Sequence, residues 1–505
     1  MKNTYINKTV LVALTIGLSF GSIGCNRDNL EDVKNLGAFD TNNYFKNEQQ
    51  CRAALTGVYD VLRKYSGGFE NMVTFFNAGS DDFYSGGGSS SDGAGIQGIA
   101  NFTINETIMP ASYWKDYYQG IARANLLIDR IPSAEMSDEV KNRFTAEAKV
   151  LRALYYFELV KVFGNVPLIL QPIKANDDYF NIPQADAAAV YEQIANDIVE
   201  SIPNLLLVPA LDKGEITQGT ARAILGKIYL YDKKNALAAA QFSEVNGTPG
   251  QTSQYGYKLV ADYASLWVVD NKYTSESVLE VMHTNKGKSD WGFWGAGNDE
   301  GNSLNIMVGP RSYNRLQPTA PDLFSGWAFN VATNELFNFM QNDPRLNTTL
   351  INVKQLKIDG KADYSPAYND TGYFINKYVP RKSDVSPYPG PTELNFRQNY
   401  IAIRLADTYL MEAEALGGSG ARAQALVDAV RARVNLPSIP VSIQLIKDER
   451  RRELAGEGHR FFDLVRWGDA PSVLASRGFV AGKNEIMPIP LQELTNTILK
   501  QNPNY

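Results

Sequence analysis

Glu449, Glu453 and Glu457 recur every four residues in ERRRELAGEGHRFFDLVRWG (449–468), a spacing that sets the first two carboxylates one turn apart on a helix face. Such a pair could work as general acid and base. Glycosidase chemistry, however, needs one carboxyl kept protonated and the two set across a substrate, and Arg450, Arg452 and Arg460 stand close enough in sequence to hold both ionised. The stretch therefore predicts an ion-paired helix end, stopped by Gly456 and Gly458 and laid against the apolar block Phe461, Phe462, Leu464, Val465 and Trp467. Other chemistries lack parts. His283 and His459 are the two histidines, far apart and without an HxxxH or CxxC neighbour, which argues against a zinc centre of the usual ligands. His459 is expected to pack within its own stretch, and His283 ends a strand-like piece. GAGIQG at 93–98 matches GxGxxG but follows SSSD instead of an apolar strand, and GLSFG at 17–21 matches GxSxG inside a leader-like segment. Asp299 and Glu300 lack the spacing of a calcium loop and read as solvated. The sequence predicts no catalytic residue, no metal and no cofactor.

A binding site has more material. Trp291, Phe293 and Trp294 alternate with glycines, which hinders packing of all three in a core and offers flat apolar faces on a loop. Sugar rings suit such faces, with Asn298, Asp299 and Asn302 nearby to fix hydroxyl groups. Tyr84, with Phe83 the weaker alternative, sits in the long glycine- and serine-rich loop NAGSDDFYSGGGSSSDGAGIQG. Together with Tyr313 it would complete an aromatic arc. The candidate ligand-binding set is thus Tyr84, Trp291, Phe293, Trp294, Asn298, Asp299 and Tyr313.

These loops need a frame. The chain has 505 residues, 44% hydrophobic and 21% charged, with 49 basic against 55 acidic side chains spread without long runs. That composition suits a globular protein and argues against a nucleic-acid partner. Lys2 and Lys8 precede an uncharged run at 10–24, short for a transmembrane helix and right for the apolar part of a secretory signal. Ser22, Ile23, Gly24 and Cys25 resemble a bacterial lipobox, with Ser22 where leucine is commoner. The resemblance implies that Cys25 becomes an acylated mature N-terminus, each buried methylene contributing roughly 0.8 kcal/mol of attachment. Residues 25–41 read as a flexible tether carrying Asp28, Glu31 and Asp32. Cys51 is the only other cysteine, so no intramolecular disulfide is available once Cys25 is modified, and a buried inert thiol is expected. Apolar stripes predict helices around Cys51, over 113–131, from a Ser137 cap to Gly164 and Pro167, after Asp186 and after Thr217. From about 247 to 397 the helical texture gives way to glycines, prolines and aromatics. It then resumes over 399–416 (Ile401, Leu405, Tyr409) and 421–434. By spacing alone this is a mostly α chain of stacked helical hairpins with an irregular lobe.

The ER, EL, GEG, R, DL and RWG elements of 449–468 resemble, in order and spacing, the C-terminal signature of the SusD/RagB family of outer-membrane nutrient-binding lipoproteins from Bacteroidetes. RALYYFELVKVFGNVPLI, TSESVLEV, GPRSYNRLQPTAPDLFSGWAFN, NDPRL, FINKYVPRK, NEIMPIP, LQEL and QNPNY resemble further family blocks, Asn504 standing where glycine is usual. The resemblance covers nearly the whole mature chain. It implies a tetratricopeptide-like scaffold at about 42–246 and 398–505, carrying the lobe within one SusD-like domain (42–505). It also implies a surface lipoprotein that binds oligosaccharide and delivers it to a SusC-like, TonB-dependent transporter. A peptide or glycopeptide ligand, as in RagB-like members, is the alternative, and a surface glycoside hydrolase a further one. Trp114 and Trp327 fall in segments resembling the scaffold and are expected to be structural.

Overall fold

The computed structural model describes residues 44–174, 179–209, 214–286, 291 and 300–505. The leader (1–24), Cys25 and the tether to residue 41 lie outside them.

The first half is an array of helices: α1 (Glu48–Tyr59), α2 (Met72–Ala78), α3 (Ala94–Ala100), α4 (Ser112–Arg130), α5 (Asp138–Phe163), α6 (Ala187–Ser201), α7 (Gln218–Tyr231) and α8 (Asn235–Asn246). Helix α5 shows why these segments fold as they do. The Ser137 hydroxyl accepts from the Val140 N–H, and Asp138 and Glu139 complement the positive end of the helix dipole. Gly164, at φ 72°, ends the helix in a conformation a side chain would resist. The predicted stripe of Phe144, Ala148, Leu151, Tyr155 and Leu159 is buried, and so are Ala153, Tyr156, Phe157 and Val160 on the other sides. The reason is position: α5 packs against both α4 and α6, and also touches α1 and α7. Cys51 is fully buried in α1, and burial pushes its thiol up.

The C-terminal helices α10 (Leu405–Ala415), α11 (Gly420–Ala432), α12 (Ile443–Leu454) and α13 (Arg460–Trp467) close back on this array, α10 lying against α8, α11 and α12. The helix expected over 399–416 is corrected in its first third. Tyr400–Arg404 is a strand, β8, antiparallel to β3 (Ser277–Val281), with Glu280 opposite Ile401 and Val281 opposite Tyr400. β-branched Ile401 and Ile403, buried on both faces, favour pairing with SVLEV over continuing the helical period. The other strands are short antiparallel pairs: β1 (Val166–Pro167) with β2 (Gln184–Ala185), β4 (Arg311–Arg315) with β6 (Ala362–Ser365), and β5 (Leu350–Asn352) with β7 (Tyr373–Ile375).

The glutamates of α12 fasten these pieces together. Within 3.0 Å they and their neighbours form a buried network of five cations and five carboxylates. Arg345 reaches Glu449, Glu453 and Asp343; Arg404 reaches Glu276, Glu453 and Glu457; Arg433 pairs with Glu276 and Glu453, Arg431 with Glu449, and Lys377 with Glu457. The expected partners are thereby corrected. Arg450 binds Asp407 and Asp463, Arg460 binds Asp81, and Arg452 lies 3.7 Å from Asp343. The glutamate face of α12 turns into the core, where cations from other elements reach it. Burial alone would raise the Glu453 carboxyl, but Arg433, Arg404 and Arg345 outweigh it and hold the group well below the usual carboxylate range. Gly456 and Gly458, each at φ 83°, end the turn, and the carbonyl of Glu453 is capped by Lys377 and Arg404. Three blocks of the irregular lobe supply members: TSESVLEV gives Glu276, NDPRL gives Asp343 and Arg345, and FINKYVPRK gives Lys377.

Candidate functional site

At the surface of the lobe Trp291, 52% exposed, stacks on Trp327 with ring centroids 6.0 Å apart and planes at 27°. Trp327 in turn leans on Phe69 at 6.2 Å, and Phe69 meets Phe329 edge-on at 5.3 Å. Two indoles in series, the outer one about half exposed, make an apolar platform of the kind a sugar ring or another flat ligand covers.

The platform is held stiffly. Helix α9 (Ser303–Val308) and the turn after it accept a ladder of bonds: Gly326 N–H to Pro310 at 2.8 Å, Trp327 to Ile306 at 2.8 Å, Ala328 to Gly309 at 2.8 Å and Phe329 to Met307 at 2.7 Å. Ala328 and Asn330 sit at φ 59° and 55°, a left-handed conformation that costs an alanine about 1–2 kcal/mol. A Cβ on Gly326 would come 2.4 Å from the Gly309 Cα, so that crossing admits only glycine. Polar groups stand beside the platform. Arg311 donates to the Trp327 carbonyl at 3.2 Å and faces Asp92 at 3.8 Å.

Of the residues singled out from sequence, Trp291 is in this platform, while Phe293, Trp294, Asn298 and Asp299 lie outside the described residues. Tyr313 is corrected to a core residue. It is 7% exposed, packs with Leu323, Val331 and Phe374, and donates its hydroxyl to the Pro321 carbonyl at 2.8 Å. β4 alternates, and Tyr313 is on its inner face. Tyr84 is half-buried beneath the Arg477 guanidinium, 5.2 Å from the ring centre, and Phe83 is buried. Asn302 is buried too and caps α9, its side chain accepting from the Leu304 N–H. Trp114 is a core residue between Tyr118 and Phe163. Trp327, expected to be structural, is partly buried and packed against the core, and it also carries Trp291 on its ring.

The acid–base candidates are interior, and Glu457 lines a small internal cavity. Glu449, Glu453 and Glu457 are buried and ion-paired. His283 is buried against the Ser66 hydroxyl at 2.8 Å, and burial with the nearby Arg63 charge lowers it to about 3. His459, lowered to about 4 chiefly by burial, lines a small internal cavity with Lys161 and Lys227. A cleft of about 1000 Å³ runs along α4 beside Trp114, Tyr118 and Ile121, but its Asn125 amide is already committed to the Ile169 carbonyl and to Arg152.

Comparison with known proteins places these features. The model described as SusD family matches residues 324–484, and the one described as starch-binding associating with outer membrane matches residues 32–230. Among solved structures, a laminarin binding SusD-like protein is 60% identical, covers 91% of this chain and 100% of its own, and superposes with a TM-score of 0.90. Surface glycan-binding protein A from Bacteroides thetaiotaomicron in complex with laminarihexaose is 25% identical over 91% of this chain and 100% of its own, with a TM-score of 0.80. SusD-like protein P25 of Formosa agariphila is 26% identical over 536 residues, 97% of this chain and 98% of that one.

Proposed function

This chain belongs to the SusD/RagB family, and we propose from that premise that it is a glycan-binding lipoprotein of the outer-membrane surface. On this reading it holds laminarin, or a glycan much like it, on the Trp291–Trp327 platform and passes it to a SusC-like, TonB-dependent transporter. The observation that carries the reading is the half-exposed Trp291 stacked on the rigidly mounted Trp327. The C–H faces of a sugar ring pack on indole, and donors and acceptors beside it fix the hydroxyls. The laminarin-binding relative, at 60% identity over its whole length, supports the choice of glycan.

A role without chemistry is supported by the carboxylates themselves. Glu449, Glu453 and Glu457 are fixed in the interior by guanidinium and ammonium groups, and those groups hold the Glu453 and Glu457 carboxyls below the usual range, the opposite of what a general acid needs. Acylation at Cys25, an outward-facing anchor and the transporter partner complete the proposal. The lipobox-like sequence supports the first, and membership of the family supports the other two.

Calorimetric titration of the purified mature protein with laminarin and with a peptide mixture tests the reading. Saturable laminarin binding with tryptophan quenching and no release of reducing ends is expected. Binding of peptides but not glycan would replace it with a RagB-like role, and reducing-end release would make the protein a hydrolase.

A further inference from the structure

We propose that the loop 86–93 is the polar wall of this site, that Asp92 and Arg311 select which hydroxyl arrangement the tryptophan pair retains, and that Gln97 is the residue positioning that wall. The proposal rests on the reading of Trp291 and Trp327 as the glycan platform.

The glycine-rich loop has a definite shape. Gly86, Gly87 and Gly93 take φ of 69°, 82° and 71°, and a Cβ on Gly86 would lie 2.1 Å from the Ala328 carbonyl oxygen. The loop is therefore pressed onto the backbone that follows Trp327, where the Gly87 N–H donates to Ala328 at 2.8 Å and the Tyr368 N–H donates to Gly87 at 3.0 Å. Phe69, which supports Trp327, also packs 3.1 Å from where a Gly93 side chain would begin. Loop and platform share one bed.

A single side chain closes the loop. Gln97, on α3 and 6% exposed, donates its amide to the carbonyls of Gly86 at 3.0 Å, Asp92 at 3.1 Å and Ser89 at 3.3 Å, and accepts from the Ser85 hydroxyl at 2.7 Å. This leaves 88–91 exposed as a fixed tip. At its base the Asp92 carboxylate accepts from the Gly88 N–H at 2.6 Å and stands 3.8 Å from Arg311, both side chains being about one-third open to water. A carboxylate and a guanidinium side by side offer acceptors and planar donors together, the combination that neighbouring sugar hydroxyls satisfy. Their charges oppose one another at short range, so the wall discriminates by hydroxyl geometry and favours a neutral saccharide over an anionic one.

Laminarihexaose titrations of the full mature chain test this. Arg311→Met and Asp92→Asn are each expected to weaken binding by about tenfold, as the loss of a charge-assisted hydrogen bond does, with unchanged melting temperature. Wild-type affinity is expected to change less than about twofold between low and high salt, since no net charge is neutralised. Gln97→Met is expected to cause a similar loss and faster amide exchange over 86–92, with no further loss in the Arg311→Met background, whereas a merely structural role would add its effect. Should that variant not fold, Gln97→Glu, which keeps the size and removes the donors, takes its place. If Trp291→Ala and Trp327→Ala abolish binding while the Arg311, Asp92 and Gln97 variants bind as wild type, the wall is overturned and the platform stands. If the wild type fails to bind laminarihexaose, or all these variants bind like it, both are overturned.

Discussion

Replacing Glu453 with glutamine removes one charge from the middle of the buried network while keeping the shape of the side chain. The carboxylate lies 2.7 Å from Arg345 and 2.5 Å from Arg404, and is paired with Arg433 as well. Five cations then face four carboxylates in an interior that water does not reach. Breaking a buried ion pair by removing one partner costs about 3–5 kcal/mol, because the remaining charge stays desolvated. An unfolding entropy of about 2.1 cal/mol/K per residue over roughly 460 folded residues makes each kcal/mol worth roughly 1 °C, so the melting midpoint is expected to fall by about 3–5 °C. The exposed Glu48–Arg52 pair, at 3.1 Å, is the control: Glu48→Gln should change stability by no more than about 0.5 kcal/mol. Differential scanning calorimetry of the three proteins reads the difference, and glycan affinity at room temperature should be unaffected by Glu453→Gln. A midpoint within 1 °C of wild type, or lost glycan binding in a folded variant, would refute the account of these glutamates as the fastening of the fold.

The depressed Glu453 carboxyl contributes stability that is present above the ordinary value of 4.5 and is lost as pH falls below it, so the fall of melting temperature below pH 4.5 should be shallower in Glu453→Gln; thermal scans across acidic pH check this. Glu147 has the opposite sign. Burial raises it to about 7, so its contribution is present below 4.5 and is lost by the time pH has risen through about 7; Glu147→Gln should flatten the decline of melting temperature between pH 4.5 and 7. His283, lowered to about 3, contributes stability that is present above 6.5 and lost as pH falls toward 3, and His283→Gln should reduce the slope of melting temperature in that window. Cys25→Ala should move the protein from the membrane to the soluble fraction on fractionation, and continued membrane attachment would contradict acylation there.

Much of the helical frame was legible because its signals are local. Ser137, the apolar stripe from Phe144 to Leu159 and Gly164 specify α5 within one segment. The strand Tyr400–Arg404 was not, because Ile401, Leu405 and Tyr409 fit a helical period and only the distant SVLEV segment decides against it. The same holds for the glutamates. Their four-residue spacing was visible, but Arg345, Arg404, Arg431 and Arg433 are brought to them by folding, and Arg450, their sequence neighbour, points to Asp407 and Asp463. At the proposed platform, the alternation of Trp291, Phe293 and Trp294 with glycines pointed to surface aromatics, and Trp291 is exposed. Tyr313 was misread because strand alternation in β4 is too short to show which face is buried, and the contact of Trp327 with Trp291 was invisible because two glycines 17 residues apart must cross closely to place that backbone.

The claim that the stacked tryptophans are the glycan site is tested most directly by laminarihexaose titration of Trp327→Ala, alongside its melting temperature. Loss of measurable binding in a folded variant, its midpoint lowered by no more than a few degrees, is predicted, since the ring packs on Phe69 and supports Trp291 at the surface. Wild-type affinity in the folded variant would contradict the account.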